Sequence, residues 1–213
     1  MTSRDPSRST PPRPPPPRAL PSPPRVDHWP PAIRSAALLT GTLVRSGPGV
    51  RPVSWPDTAK TRCAALGGLL TDRYAAAEQT AAWIWGASRS PGRAVRLITL
   101  RSRAPAQFEH LELRGLAEIS QFRLRDGDIA EIDAYSVTSR SRTVYDLLRS
   151  PEPLTQARLV AARLLMLTDP GIAAEAVERA SSASPGERTR VAQRLPAHED
   201  DPRTPRTARG VSS

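Results

Sequence analysis

The chain has 213 residues, 24 prolines, a single cysteine and a formal net charge of +10. This length accommodates one domain of ordinary size, and one cysteine excludes both an internal disulfide and a cysteine-based metal cluster. No apolar run is long enough for a secretory signal or a membrane span, so we expect a cytoplasmic protein without a membrane partner.

The first 31 residues contain half of the prolines and few large apolar side chains. Such a segment cannot bury enough apolar surface to offset the loss of chain entropy on folding. We therefore predict a disordered, Pro/Arg-rich arm over residues 1–31. The other end, residues 198–213, mixes acidic and basic side chains with hardly any apolar ones, and we predict a polar, disordered tail there.

Residues 32–56 follow the arm with the pattern of one short helix and a β-hairpin. The helix is expected at residues 33–38, and two strands flank the Gly/Pro turn at residues 46–49. Pro52 falls in the second strand, where a missing N–H is tolerated at a sheet edge.

The main domain is predicted over residues 57–197. Two helices open it, from Asp57 to about Leu70 and around residues 80–85. Strands are then predicted at residues 94–100, 108–113, 119–124, 129–132 and 135–138. Helices follow at residues 139–149, 154–167, 170–180 and 184–196. The whole pattern predicts an α+β fold, in which a small, mostly antiparallel sheet packs with helices.

The sequence offers little catalytic chemistry. Its histidines, His28, His110 and His198, have no cysteine or carboxylate at a metal-ligand spacing, and residues 47–49 lack the continuation of a nucleotide-binding loop. Cys63 lies on the apolar face of a predicted helix, which favours a small core residue over a reactive thiol. We therefore expect no metal ion, no cofactor and no enzymatic activity.

A small metal-dependent nuclease is the strongest enzymatic alternative, because such enzymes gather carboxylates near a lysine. Glu131 and Asp133 lie on a predicted strand close to Asp126 and Asp128, but Lys60, the only lysine, is remote in the sequence. A solvated face of a hairpin is the favoured interpretation of these acids.

Three segments match patterns that occur together in one family. Residues 137–147, VTSRSRTVYDL, are similar to V-T-[ST]-P-x-R-T-x-x-D-L. Residues 41–50, GTLVRSGPGV, are similar to G-x-L-V-R-x-G-x-G-V/Y, and residues 80–86, TAAWIWG, to A-A-x-W-x-x-G. In order and spacing they resemble the AbiEi-type antitoxins of type IV toxin–antitoxin systems. The resemblance covers most of residues 33–195.

The resemblance implies a partial winged helix over residues 32–56 that binds the promoter of its own toxin–antitoxin pair. It also implies a following domain that neutralises a nucleotidyltransferase-type toxin. Two departures stand out: Arg140 replaces the family's proline, and the first two helices of a complete winged helix would fall in the Pro-rich arm. Only residues 31–39 could supply a recognition helix, with Arg34 as its single basic residue.

The candidate DNA-contacting residues are Arg34 in this helix and Arg45 and Arg51 in the wing. The wing arginines would touch phosphates, which positions a protein on DNA without reading its sequence, although ordinary exposed strand residues would look the same. A second basic group could face the promoter, an acidic toxin surface or the toxin's nucleotide-bearing substrate. Its members are Arg89, Arg93, Arg96, Arg101 and Arg103.

The remaining motif residues have structural explanations. Arg142 and Asp146 lie four apart near the start of a helix, where they can form a salt bridge, and Thr143 lies between them. Trp83 and Trp85 point to different sides of one helix, so core packing is expected for both, with a docking role left open for one.

Two alternatives to the antitoxin stay open on the sequence alone. The first is a sequence-independent nucleic-acid-binding protein with no toxin partner, which the positive charge spread along the chain would suit. The second is a degenerate nuclease-like enzyme.

Overall fold

The structure, a computed structural model, describes residues 21–100 and 115–195. Its helices are α1 (Pro31–Leu39), α2 (Ala59–Leu66), α3 (Glu78–Ile84), α4 (Arg140–Arg149), α5 (Gln156–Thr168), α6 (Gly171–Ser181) and α7 (Pro185–Arg194). Its strands are β1 (Leu43–Ser46), β2 (Gly49–Pro52), β3 (Tyr74–Ala76), β4 (Val95–Thr99), β5 (Ala117–Ser120), β6 (Ile129–Ile132) and β7 (Tyr135–Thr138). Among the helices of these described residues, none is both long and apolar enough to cross a membrane.

Five strands form one mixed sheet in the order β5-β4-β3-β7-β6, and β1 and β2 form a separate hairpin. The pairs β3–β4 and β6–β7 are antiparallel, whereas β3–β7 and β4–β5 are parallel. The predicted α+β class is confirmed, but the sheet is mixed rather than mostly antiparallel. The sequence did not predict β3, because its Tyr-Ala-Ala run has the alanines of a helix and lacks the alternation of a strand.

The predicted hairpin is confirmed, with Leu43 paired to Pro52 at its open end. Gly47 in the turn has a φ of 57°, which glycine adopts without strain. Gly49 is needed for a different reason: a Cβ atom there would lie 1.8 Å from the carbonyl oxygen of Ala65 in α2. The hairpin therefore packs directly against the main domain.

Hydroxyl side chains fix the starts of four helices, including α5, where Thr155 accepts the N–H of Arg158. Thr58 and Ser184 form capping boxes at α2 and α7, and Ser139 accepts a backbone N–H at the start of α4. Helix α2 ends at Leu66, before its predicted end, because Gly67 adopts a positive φ and begins a single 3-10 turn.

Helix α4 lies at the centre of the helical layer and packs against α3, α5, α6 and α7. Its Val144, Leu147 and Leu148 are fully buried in one apolar cluster. A second apolar cluster lies between the sheet and helices α2 and α3, and the half-buried ring of Trp85 contacts both clusters. The sheet and the helical layer thus share a continuous core.

The last part of the predicted arm belongs to the fold. Pro23 and Val26 are buried, and the hydroxyl of Ser22 donates to the carboxylate of Asp133. The fold therefore includes residues before the predicted boundary at residue 31, since both of these apolar side chains are buried. The first 20 residues, the strand predicted at 108–113 and the tail at 198–213 lie outside the described residues.

Candidate functional site

Residues of the family-like segment 137–147 form the centre of a buried group of charges. Arg142, in the first turn of α4, donates from Nε to Asp146 at 2.9 Å and from Nη1 to Asp128 at 2.8 Å. The Arg142 side chain is 3% exposed, and the two carboxylates are 0% exposed. The predicted salt bridge between Arg142 and Asp146 is therefore confirmed, and it lies in the interior.

Asp128 brings the sheet into this group. It lies just before β6, and its carboxylate accepts the N–H of Arg125 at 2.8 Å and hydrogen bonds from both Nη atoms of Arg179 in α6. Its backbone carbonyl also accepts the N–H of Ser139, the residue that caps α4. The sequence did not predict this role, because an acid after an Asp-Gly pair looks like an ordinary turn residue.

Asp146 extends the group toward the C-terminal helices. Its second carboxylate oxygen accepts Nε of Arg149 at 2.8 Å, and Nη1 of Arg149 donates to Glu187 of α7 at 3.2 Å. Glu187 also closes the capping box with Ser184. We call the whole set the Arg142 cluster. Its members are Asp128, Arg142, Asp146, Arg149, Arg179 and Glu187.

Within the Arg142 cluster, three guanidinium groups face three carboxylates. Burial lowers the pKa of Arg142 and of Arg149, but the charges and hydrogen bonds of their carboxylate partners, Asp146 above all, outweigh burial, so both pKa values are raised. Burial raises the pKa of Glu187, but hydrogen bonds from Ser184 and Arg149 outweigh it, so that pKa is lowered overall. These two arginines and Glu187 therefore stay charged at neutral pH.

Thr143, the third motif residue, also acts within the fold. Its hydroxyl lies 2.8 Å from the hydroxyl of Thr138 at the end of β7, and it donates to the carbonyl of Ser139 at 2.8 Å. The Thr143 side chain is fully buried. These bonds fix the direction in which α4 leaves the sheet.

A recess of about 650 Å³ opens beside the Arg142 cluster. Arginines make up five of its eleven lining residues. Three of them, Arg142, Arg149 and Arg179, belong to the cluster, whereas Arg123 and Arg125 belong to the segment that leads into β6. The recess is therefore a concentration of positive charge that the sequence did not reveal, since its arginines come from three separate elements.

The candidate DNA-contacting arginines do not share one surface. Arg45 and Arg51 are not opposite each other in the hairpin register, and their side chains point to opposite faces. Arg45 is exposed, whereas Nη1 of Arg51 donates to the carbonyl of Trp55 at 2.5 Å and so helps to hold the connection to α2. Arg34 is half-buried in α1.

The predicted basic run is divided by the fold. Arg96 forms an ion pair with Glu118, its register partner on the neighbouring strand β5. Arg89 and Arg93 are exposed in the loop between α3 and β4. Sequence reasoning missed the neutralisation of Arg96 because the acid comes from another strand. Two further members lie outside the described residues: Arg101 and Arg103.

The acids of the nuclease alternative have other partners. Glu131 accepts a hydrogen bond from the hydroxyl of Ser136 at 2.9 Å, and Asp133 forms an ion pair with Lys60 at 2.8 Å. The lysine, remote in the sequence, reaches the acids because α2 packs against β6. Over residues 21–100 and 115–195, no group of three or more potential ligands is placed to hold a metal ion.

The three family-like segments meet in the structure. Trp85 of the second segment donates from Nε1 to the carbonyl of Thr138 in the third at 2.9 Å, across 53 residues of sequence. The ring of Trp83 lies against the hairpin turn, 3.0 Å from where a Cβ atom of Gly47 would be. Arg140, which replaces the family's proline, places its guanidinium 4.5 Å from the centre of the Trp85 ring. Core packing is confirmed for Trp83, which is buried.

Comparison of the chain with protein-family models, with curated proteins and with solved structures gave no match. The likeness to the antitoxin family therefore rests on the residues of the three segments. These segments contact one another within a single α+β domain.

Proposed function

We propose that this chain is an antitoxin-like regulator without catalytic activity, which acts in the cytoplasm and counteracts a nucleotidyltransferase-type toxin. The observation that carries the proposal is the meeting of the three family-like segments, in which Trp83 contacts the hairpin turn and Trp85 bonds to Thr138. These contacts make the three segments parts of one packed unit.

The buried motif also indicates where a partner could bind. Arg142, Thr143 and Asp146 lie almost wholly inside the domain, so they specify the fold and offer little surface to a protein partner. A toxin or another partner must then be recognised through exposed side chains on the hairpin and on the outer faces of the helices. Specificity is therefore set by residues outside the family's motif.

A role without catalysis agrees with how the acids are engaged. Asp128 and Asp146 are held between arginines, and Asp133 is paired with Lys60. A carboxylate held in this way is a poor general base or metal ligand, because its lone pairs already accept hydrogen bonds.

Nucleic-acid binding, at the promoter or without sequence preference, is the second candidate function. The exposed Arg45, Arg89 and Arg93 and the net charge of +10 favour it. Phosphate contacts would dominate such binding, and affinity would fall steeply as the salt concentration rises. Arg45→Gln should then weaken binding to a duplex equally for promoter and unrelated sequences.

A growth-rescue experiment tests the antitoxin proposal. A nucleotidyltransferase-type toxin candidate from the same gene neighbourhood is expressed in a heterologous host, alone and together with the full chain or a version that begins at Pro21. Both versions should restore growth, because the shorter one keeps all three family-like segments, residues 41–50, 80–86 and 137–147. If the toxin arrests growth and the folded full chain does not restore it, the antitoxin proposal is rejected in favour of nucleic-acid binding.

A further inference from the structure

The recess beside the Arg142 cluster has the size and lining of a site for a small anionic ligand. Its volume of about 650 Å³ lies within the range of roughly 300–1,000 Å³ that is usual for small-molecule sites. Neither candidate function above makes use of it.

The recess carries an excess of positive charge. The guanidinium groups of the Arg142 cluster are matched by its carboxylates, but Arg123 and Arg125 add two further cations to the wall. Both side chains are exposed, and neither forms an ion pair with any residue in the described part of the chain. The wall therefore favours a ligand that carries at least two negative charges.

The deeper arginines offer hydrogen-bond donors that are already held in place. Nε and Nη1 of Arg142, and likewise of Arg149, donate to carboxylates, which fixes the plane of each guanidinium. None of the hydrogen bonds among residues 21–100 and 115–195 uses Nη2 of either side chain. A fixed guanidinium with a spare donor suits an oxyanion, because little conformational entropy is lost on binding.

Arginines cover the aromatic rings in the wall. The guanidinium of Arg149 lies 3.9 Å from the centre of the Phe122 ring. The ring of Tyr145 has the guanidinium groups of Arg149 and Arg179 at 5.5 and 5.8 Å. These contacts restrain the arginines further and occupy the rings. Charge, rather than stacking of a base on an aromatic ring, should therefore dominate recognition.

We propose that this recess binds the phosphate chain of a small phosphorylated molecule, such as a nucleoside triphosphate or pyrophosphate. Arg123 and Arg125 neutralise the outer phosphate, and Nη2 of Arg142 and of Arg149 donate to the phosphate that lies deeper. The site is independent of the antitoxin proposal, and the growth-rescue experiment does not test it.

Isothermal titration calorimetry of the full chain at low salt tests the site, with ATP, pyrophosphate and adenosine as titrants. ATP and pyrophosphate should bind with similar affinity, and adenosine, which lacks phosphate, should not bind. The double variant Arg123→Gln/Arg125→Gln should weaken ATP binding at least about tenfold, because it removes two charge-assisted contacts. Arg163→Gln is the matched control, since it removes an exposed arginine of α5 outside the recess and should leave the affinity unchanged.

A second variant, Ser182→Glu, removes no arginine and places a negative charge in the wall. It should also weaken ATP binding. Circular dichroism checks that every variant is folded. The proposal is overturned if neither ATP nor pyrophosphate binds, if adenosine binds as tightly as ATP, or if Arg163→Gln weakens binding as much as the double variant. A single-stranded oligonucleotide that binds far more tightly than ATP and loses affinity in the double variant would assign the recess to a nucleic-acid strand and would also overturn it.

Discussion

Arg142 is held between two buried carboxylates, and its own side chain is only 3% exposed. Taking three charges out of water is costly, and the cost is offset only where each charge keeps well-placed partners. Asp128 also forms an ion pair with Arg179, and Asp146 also forms one with Arg149. Each buried carboxylate is therefore bound by two arginines. Such a group tolerates the loss of a member poorly, because the loss leaves an unpaired charge in the interior.

Cys63 should be unreactive while the protein is folded. It is 0% exposed, and burial raises the pKa of its thiol to about 12. The reactive form of a thiol is the thiolate. At about pH 8 the Cys63 thiolate is therefore both scarce and inaccessible. Labelling with a disulfide reagent such as dithiobis-nitrobenzoate should be slow in buffer and fast in concentrated urea. Equal rates in the two solutions would show that the thiol is not part of the core.

Glu187 should make the stability of the fold depend on pH in the acid range. Burial raises its pKa, but the hydrogen bonds from Ser184 and Arg149 outweigh burial and bring the pKa below the ordinary value of 4.5. The charged form therefore stabilises the fold above the ordinary pKa, and this contribution is lost as the pH falls through the lowered pKa. Glu187→Gln should lower the free energy of unfolding at neutral pH by about 1 kcal/mol or less, and the difference should vanish in strong acid.

Urea unfolding at neutral and acid pH measures this difference. Glu178→Gln, which changes an exposed glutamate of α6, should match the original chain at both pH values. A difference for Glu187→Gln that stays the same at both pH values would show that the carboxylate does not act through its charge.

The spacing of four residues allowed the salt bridge from Arg142 to Asp146 to be predicted, because a helix places such residues side by side. Asp128 could not be predicted as a partner, since it precedes Arg142 by fourteen residues and belongs to a turn before β6. The ion pair between Lys60 and Asp133 was not predicted either, because their separation in the sequence gives no information about how α2 packs on β6.

At the level of elements, the hairpin should separate from α2 if the first residue of β2 gains a side chain. In Gly49→Ala, the new methyl group meets the carbonyl oxygen of Ala65, a backbone atom that cannot move without moving the helix. We expect a loss of about 1–3 kcal/mol in the free energy of unfolding. Gly68→Ala is the matched control, since a Cβ atom there meets no atom within 4 Å. Equal urea midpoints for the two variants would contradict the close packing of the hairpin.

The elements that could be predicted are those whose sequence signal lies in neighbouring residues. The capping box at Ser184 marks the start of α7 in both the sequence and the structure, because the signal and its effect lie within four residues. Strand β3 owes its conformation to pairing with β4 and β7 on its two sides. No window of sequence around Tyr74 contains those partners, so the strand and the mixed character of the sheet were missed.

At the scale of the whole molecule, the Arg142 cluster ties the sheet to the C-terminal helices. Asp128 precedes β6, Arg142 lies in α4, Arg179 in α6 and Glu187 in α7. The fold class and the helical layer follow from periodicity and caps, but the convergence of these charges depends on how four elements pack. The recess is a product of that convergence, so no local pattern of residues could predict it.

Chemical denaturation of Arg142→Met tests this central role most directly. The variant should lose about 3–5 kcal/mol in the free energy of unfolding, because it leaves Asp128 and Asp146 without their shared buried partner. Arg140→Met, on the same helix, removes an exposed arginine that contacts Trp85 and should lose about 1 kcal/mol or less. Equal stability of the two variants would contradict the claim that the Arg142 cluster holds the domain together.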